Sequence, residues 1–396
     1  MNSRINSTIK ELNEVIISYV KSTIKNGKEE NNDLISIFGN ETGAILFLIN
    51  NKISIGDNNE YIEYLLKKQI TYLISKNEIP NFNFSYGITG MGWLIQFLTR
   101  ENLIDIDSTE LLLEIDEIAF NYSIRLLDIN NHDFLHGAVG NAIYLIERIN
   151  DNKLVVKYLE EIVSKLYTLC KRDEKGIYWV DNYSKNDELS INLSLSHGLA
   201  SKIVFLSKIV ELGINRDIAS ELLTGSIKFM LKSKNTDKNL SIFPSSIGYQ
   251  NSRLGWCYGD LGISIALWQA GVVLQNDKVK QEAIEICLHT TKRRTPEQTL
   301  VKDASFCHGT AGIAHIYNRM YCSTGKIEFK KAANYWIEET LKMATFEDGL
   351  VGYKTWNTNK YENDYSLLNG ITGIGLVLLS YINDEEPTWD KCLLLS

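Results

Sequence analysis

"LHGAVGNAIYLI" (residues 135–146) reads as a Gly-x-x-Gly step running straight into an apolar segment. The phrase returns along the whole chain: "SIFGNETGAILFL" (36–48), "SYGITGMGWLI" (85–95), "SHGLASKIVFL" (196–206), "CYGDLGISIAL" (257–267), "CHGTAGIAHIY" (307–317) and "LNGITGIGLVLL" (368–379). The first copy has one extra residue between its glycines, and Ser201 replaces the second glycine of the fourth. Seven copies at intervals of 48 to 61 residues are an internal repeat. Each opens a segment apolar on most faces, the pattern of a fully buried helix. Ahead of each lies a longer amphipathic stretch. In "STELLLEIDEIAFNYSIRLL" (108–127), Leu112, Ile115, Ile118, Ala119 and Tyr122 fall at helical spacing. Comparable stretches begin near Asn152, Arg216, Asp277 and Ile327. The order is outer helix, inner helix, seven times.

Buried inner helices need cover on every side, and an open solenoid needs polar end caps. No such caps are visible, and the last inner segment runs almost to the C-terminus. The repeat therefore predicts an all-α chain folded as an α/α toroid of seven helical hairpins, one domain over residues 1–396. The longer spacers "KGIYWVDN" (175–182), "NLSIFPSSIGY" (239–249) and "GLVGYKTW" (349–356) predict short extended or hairpin pieces at one rim.

Composition narrows the function. The net charge is -8 and Lys and Arg form no long run, which argues against a nucleic-acid partner. Runs such as "AILFLI" are too short to span a bilayer, and the start shows no secretory signal, so a cytoplasmic protein is expected. Six scattered cysteines are then expected as thiols and not as a disulfide framework. Cys170, Cys287, Cys322 and Cys392 read as small buried hydrophobes, and His289 and His315 as packing or surface residues.

Register singles out the rest. The residue before each first glycine is Phe38, Tyr86, His136, His197, Tyr258, His308 and Asn369; one earlier stand Ile37, Ser85, Leu135, Ser196, Cys257, Cys307 and Leu368. Two cysteines share a register in consecutive repeats, with His308 beside the second. Two thiolates and an imidazole form a zinc ligand set, and three protein ligands leave a tetrahedral position open. Helix N-termini favour the thiolate form.

"WCYGD" (256–260) followed by "CHG" (307–309) strongly resembles the lanthionine synthetase C family, the cyclases of lanthipeptide (lantibiotic) biosynthesis. The repeat order matches along nearly the whole chain. The resemblance implies an α/α toroid and one Zn2+ held by Cys257, Cys307 and His308. It also implies catalytic roles for Asp133 in "HDFLHGAVG", His197 in "LSHGLAS", Arg253 in "SRLGWCYGD" and Tyr258. His136 shares the register but matches no family ligand, and reads as a pocket-lining residue. The spacers are short, so the β-rich accessory domain of better-known members is expected to be reduced or absent.

The reaction so implied adds a peptide cysteine to a dehydroalanine or dehydrobutyrine of the same peptide, giving a lanthionine or methyllanthionine ring. The open zinc position is expected to take the substrate sulfur as thiolate. Attack builds an enolate that needs a donor, and Cα then needs a proton. His197 is the expected general acid–base, with Asp133 orienting it or binding substrate backbone and Arg253 the enolate donor; His197, Asp133 and Tyr258 are all candidates for delivering the proton. The implied partners are a dehydrated precursor peptide, a dehydratase and an ABC-type exporter, with peripheral membrane attachment through that complex. Three readings compete: a peptide-binding scaffold without catalysis, a zinc-dependent thiol prenyltransferase on an α/α barrel, and a toroidal glycosidase. The last needs paired axial carboxylates, for which only Asp133 and Asp260 stand near the register.

Overall fold

The computed structural model describes residues 1–26, 35–51, 58–75, 81–180, 191–236, 240–383 and 386–396. Its inner helices are Asn40–Asn50, Ile88–Arg100, Ala138–Glu147, Leu199–Glu211, Asp260–Val273, Thr310–Thr324 and Ile371–Ile382. Its outer helices are Asn2–Asn26, Asn58–Ser75, Leu113–Asp128, Leu154–Leu169, Arg216–Lys232, Asp277–Thr290 and Ile327–Lys342. Every Gly-x-x-Gly phrase starts an inner helix, as the repeat predicts. Inner helices are buried on all faces: Ile371 to Ser380 is buried without a break. Outer helices bury one stripe, such as Val155, Leu159, Ile162, Val163 and Leu166. The stretch placed near Asn152 starts at Leu154 because the Asn152 side chain accepts the Leu154 N–H, ahead of the helix.

The chain forms two compact units. In one, residues 1–80 and 300–390, inner helix Thr310–Thr324 packs on Ile371–Ile382, which packs on Asn40–Asn50. The last repeat is thus the neighbour of the first, and the Leu367 N–H donates to the Phe38 carbonyl. In the other, residues 81–299 and 391–396, the inner helices Ile88–Arg100, Ala138–Glu147, Leu199–Glu211 and Asp260–Val273 pack in sequence order.

The glycines set how closely the loops approach. A Cβ on Gly312 would lie 1.8 Å from the Phe306 carbonyl oxygen, so the loop bearing Cys307 fits only over glycine. Gly312→Ala is expected to cost about 2 kcal/mol through overpacking, read as a lower urea midpoint at unchanged slope. Ser201 is accommodated at the equivalent place, its hydroxyl donating to the Gly198 carbonyl.

Strand among the described residues is confined to two antiparallel hairpins, Lys171–Asp173 with Gly176–Tyr178 and Thr355–Asn357 with Lys360–Glu362. The described part of the 239–249 spacer forms no named strand, only a bridge between Ser246 and Asn192. Residues 181, 182 and 239 of the spacers lie outside the described residues. Each spacer meets an N-terminal end of inner helices. Val180 accepts from the Asn130 side chain, Asp260 accepts from the Ile242 and Phe243 N–H groups, and Asp303 accepts from the Trp356 N–H.

One expectation needs correction. Cys322 is exposed, because it sits in the last turn of helix Thr310–Thr324, past the end of that helix's buried stretch; Cys170, Cys287 and Cys392 are buried as expected. His315 packs in the interior, as expected, and is also paired there. It is buried with Nε2 2.7 Å from Asp390, which also accepts from Arg319 Nε at 2.7 Å. Burial pushes the Asp390 carboxyl up, but His315 and Arg319 outweigh it and bring it down to about 2. A depressed carboxyl contributes stability above its unfolded value, and that contribution is lost as pH falls through the folded one. Urea stability should therefore fall more steeply between pH 4 and about 2 in the wild type than in Asp390→Asn.

Candidate functional site

The loops before the inner helices share one construction. An Asn or Asp six residues before the first glycine accepts the N–H two residues on: Asn81 to Asn83, Asn131 to Asp133, Asn192 to Ser194, Asp303 to Ser305 and Asp364 to Ser366. A polar side chain four before the glycine accepts the N–H of the residue next to that glycine, as Asn83 does for Tyr86 and Ser194 for His197. The side chains in the last position are thereby fixed. Sequence reading missed the first element, although a comparison of the repeats six residues back would have found it.

Asp133 occupies the capping position of the third repeat and does two jobs. Its Oδ1 accepts the His136 N–H at 2.7 Å, and its Oδ2 lies 2.6 Å from His197 Nδ1. Burial raises the Asp133 carboxyl, but hydrogen bonds from His197 and His136 hold it below the ordinary carboxylate value. An ionised Asp133 accepts a hydrogen bond from Nδ1–H, so His197 carries hydrogen there and turns Nε2 to chemistry. The Asp133 carboxylate therefore caps its loop and orients a histidine at once.

The four residues next to the first glycines of repeats two to five form a row of rings. Tyr86 stacks on His136 at 5.7 Å between centroids, His136 lies 5.8 Å from His197, and His197 lies 6.0 Å from Tyr258. Ser85 Oγ sits 2.9 Å from His136 Nδ1. Burial, then the Cys257 and Asp133 charges, raise the Tyr258 phenol, which stays a neutral donor near pH 7. Arg253 is half-buried and opposes that rise through its charge. The Cys257 carbonyl accepts from both the N–H and the hydroxyl of Ser196, tying the cysteine's backbone to the loop of His197. Asp260, the other carboxylate near the register, is fully buried and bonded to backbone, so it supplies no second catalytic acid.

In the other unit the Cys307 N–H donates to the Leu368 carbonyl, the same register pairing seen between Ser85 and Leu135. His308 Nε2 lies 3.5 Å from Asp303 Oδ2, and Asp303 is buried. Burial raises the Asp303 carboxyl, while His308 and the Trp356 N–H more than offset that.

One ligand atom each from Cys257, Cys307 and His308 lie within 4.8 Å of one another. Two soft sulfurs and an imidazole at that separation, on loops that open inner helices, suit a divalent metal such as zinc.

A family model described as "Lanthionine synthetase C-like protein" matches residues 43–394. The chain is 23% identical to "Nisin biosynthesis protein NisC" of Lactococcus lactis subsp. lactis, over 98% of this chain and 95% of that protein. Among solved structures, one titled "Nisin cyclase" superposes with a TM-score of 0.77 at 19% identity, covering 98% of this chain and 97% of that one. The likeness makes the fold an α/α toroid. No helix among the described residues is long and apolar enough to cross a membrane.

Proposed function

The chain belongs to the lanthionine synthetase C-like family, and from that premise we propose that it is a lanthipeptide cyclase, one domain that closes thioether rings in a dehydrated precursor peptide. What carries the reading is the grouping of Cys257, Cys307 and His308, together with the Asp133–His197 pair built by the loops of the third and fourth repeats. A zinc held by those three residues would supply a cysteine thiolate of the substrate at neutral pH. The chain's own residues do the rest. His197, held at Nδ1–H by Asp133, takes up at Nε2 the proton that the substrate thiol loses and gives it to Cα after the sulfur has added to Cβ. Arg253 and the Tyr258 hydroxyl donate to the enolate oxygen as its charge grows. Tyr86 and His136 extend the wall along which the peptide lies.

The family premise also supports a cytoplasmic protein working with a dehydratase and an ABC-type exporter. Incubation with a dehydrated, cysteine-containing peptide tests the activity. Titratable thiol should disappear with no change in mass. Added mass would mark a transferase, and an unchanged peptide a binding scaffold; either result overturns the proposal.

A further inference from the structure

The loop position six before the glycine is an Asx turn in five repeats. Asp303 departs from the others in what its second oxygen does. Oδ1 holds the turn through the Ser305 N–H at 3.0 Å. Oδ2 accepts the Trp356 N–H at 2.8 Å and lies 3.5 Å from His308 Nε2. The carboxylate is 2% exposed, so water does not dilute its charge.

Resting on the metal assignment above, we propose that Asp303 is the positioning residue of the metal centre, holding the His308 imidazole by Nε2 so that its other ring nitrogen is offered to the ion. A carboxylate behind a ligating imidazole fixes the ring and its tautomer and makes the ligand nitrogen more basic. The same oxygen anchors the hairpin Thr355–Asn357/Lys360–Glu362 by the Trp356 N–H, and that hairpin is clamped further. Lys302 Nζ lies 4.2 Å from the Trp356 ring, and Tyr361 OH donates to the Lys302 carbonyl at 3.0 Å. The hairpin thus keeps the carboxylate from swinging away from His308.

Asp303→Asn separates this role from the structural one. The amide oxygen keeps the Ser305 turn, while the NH2 in place of Oδ2 gives up both the Trp356 N–H acceptor and the charge facing His308; urea unfolding reads the structural part of that change and zinc competition the positioning part. Asp364→Asn is the matched control: the same turn in the seventh repeat, where Asn369 stands in the His308 position. Zinc affinity of the purified full-length protein is read by competition with a chromophoric chelator, and stability by urea unfolding. Asp303→Asn should bind zinc about 10- to 100-fold more weakly than wild type, with Asp364→Asn unchanged. Equal zinc affinity in Asp303→Asn and wild type overturns the positioning role and leaves the metal assignment standing. An equal loss in both variants also overturns it, since the effect would then belong to the turn. A wild-type protein that binds no zinc removes the metal assignment itself.

Discussion

Replacing His197 by Asn is expected to slow ring closure by about 10²- to 10⁴-fold, or roughly 3 to 5 kcal/mol of barrier, while zinc content stays at the wild-type level. His197 lies outside the Cys257–Cys307–His308 group, so its loss leaves that group whole. Its own main chain is held by Ser194 Oγ, a bond the variant keeps. Asp133→Asn should follow with a loss of similar order. The amide can still cap the His136 N–H, so folding is spared. It no longer demands hydrogen on His197 Nδ1, so the tautomer that directs a basic Nε2 outward loses its support. Because Asp133 is held below the ordinary carboxylate value, it stays ionised throughout the working range, and the acid limb of the pH profile should report histidine. Single-turnover thiol loss and metal analysis on the same preparations make the check. Full cyclisation by His197→Asn would remove the proton-transfer role.

The second large effect concerns the ligands. Cys307→Ala, or Cys257→Ala, should yield a folded protein that neither retains zinc through dialysis nor closes rings. Folding should survive because the register pairings of both residues use backbone atoms, the Cys257 carbonyl and the Cys307 N–H. The wild type should carry about one zinc per chain and lose activity on chelation. A variant lacking one sulfur yet active and zinc-loaded would end the assignment. Circular dichroism of each variant separates loss of metal from loss of fold.

The repeat phrases were enough to place every inner helix, and the outer helices beginning at Arg216, Asp277 and Ile327 start where periodicity puts them. The reason is physical: a helix buried on all faces leaves an unbroken apolar run, and its tight entry demands glycine. The loop register likewise puts Cys257 and Cys307 in equivalent places, with His308 one residue on. Asp303 was not legible because its distinction lies in where one carboxylate oxygen points, and Trp356, its partner, is distant in sequence. The buried set of Asp116, Tyr144, Arg148 and Gln96 was invisible for the same reason. Charged residues on amphipathic stretches read as solvated until packing shows Asp116 with no exposed side chain, paired with an equally buried Arg148. Cys322 misled in the opposite direction, since a buried helix still has an end.

The pairing of the seventh repeat with the first has a cost during synthesis. Inner helix Asn40–Asn50 meets helix Ile371–Ile382 and the Leu367 N–H only after some 330 further residues have been translated. At ribosomal speed that is roughly 20 to 60 s in which the flank destined for the last repeat stays uncovered on the nascent polypeptide. The N-terminal hairpin should therefore be the segment most dependent on chaperones, and the last to gain protection from hydrogen exchange.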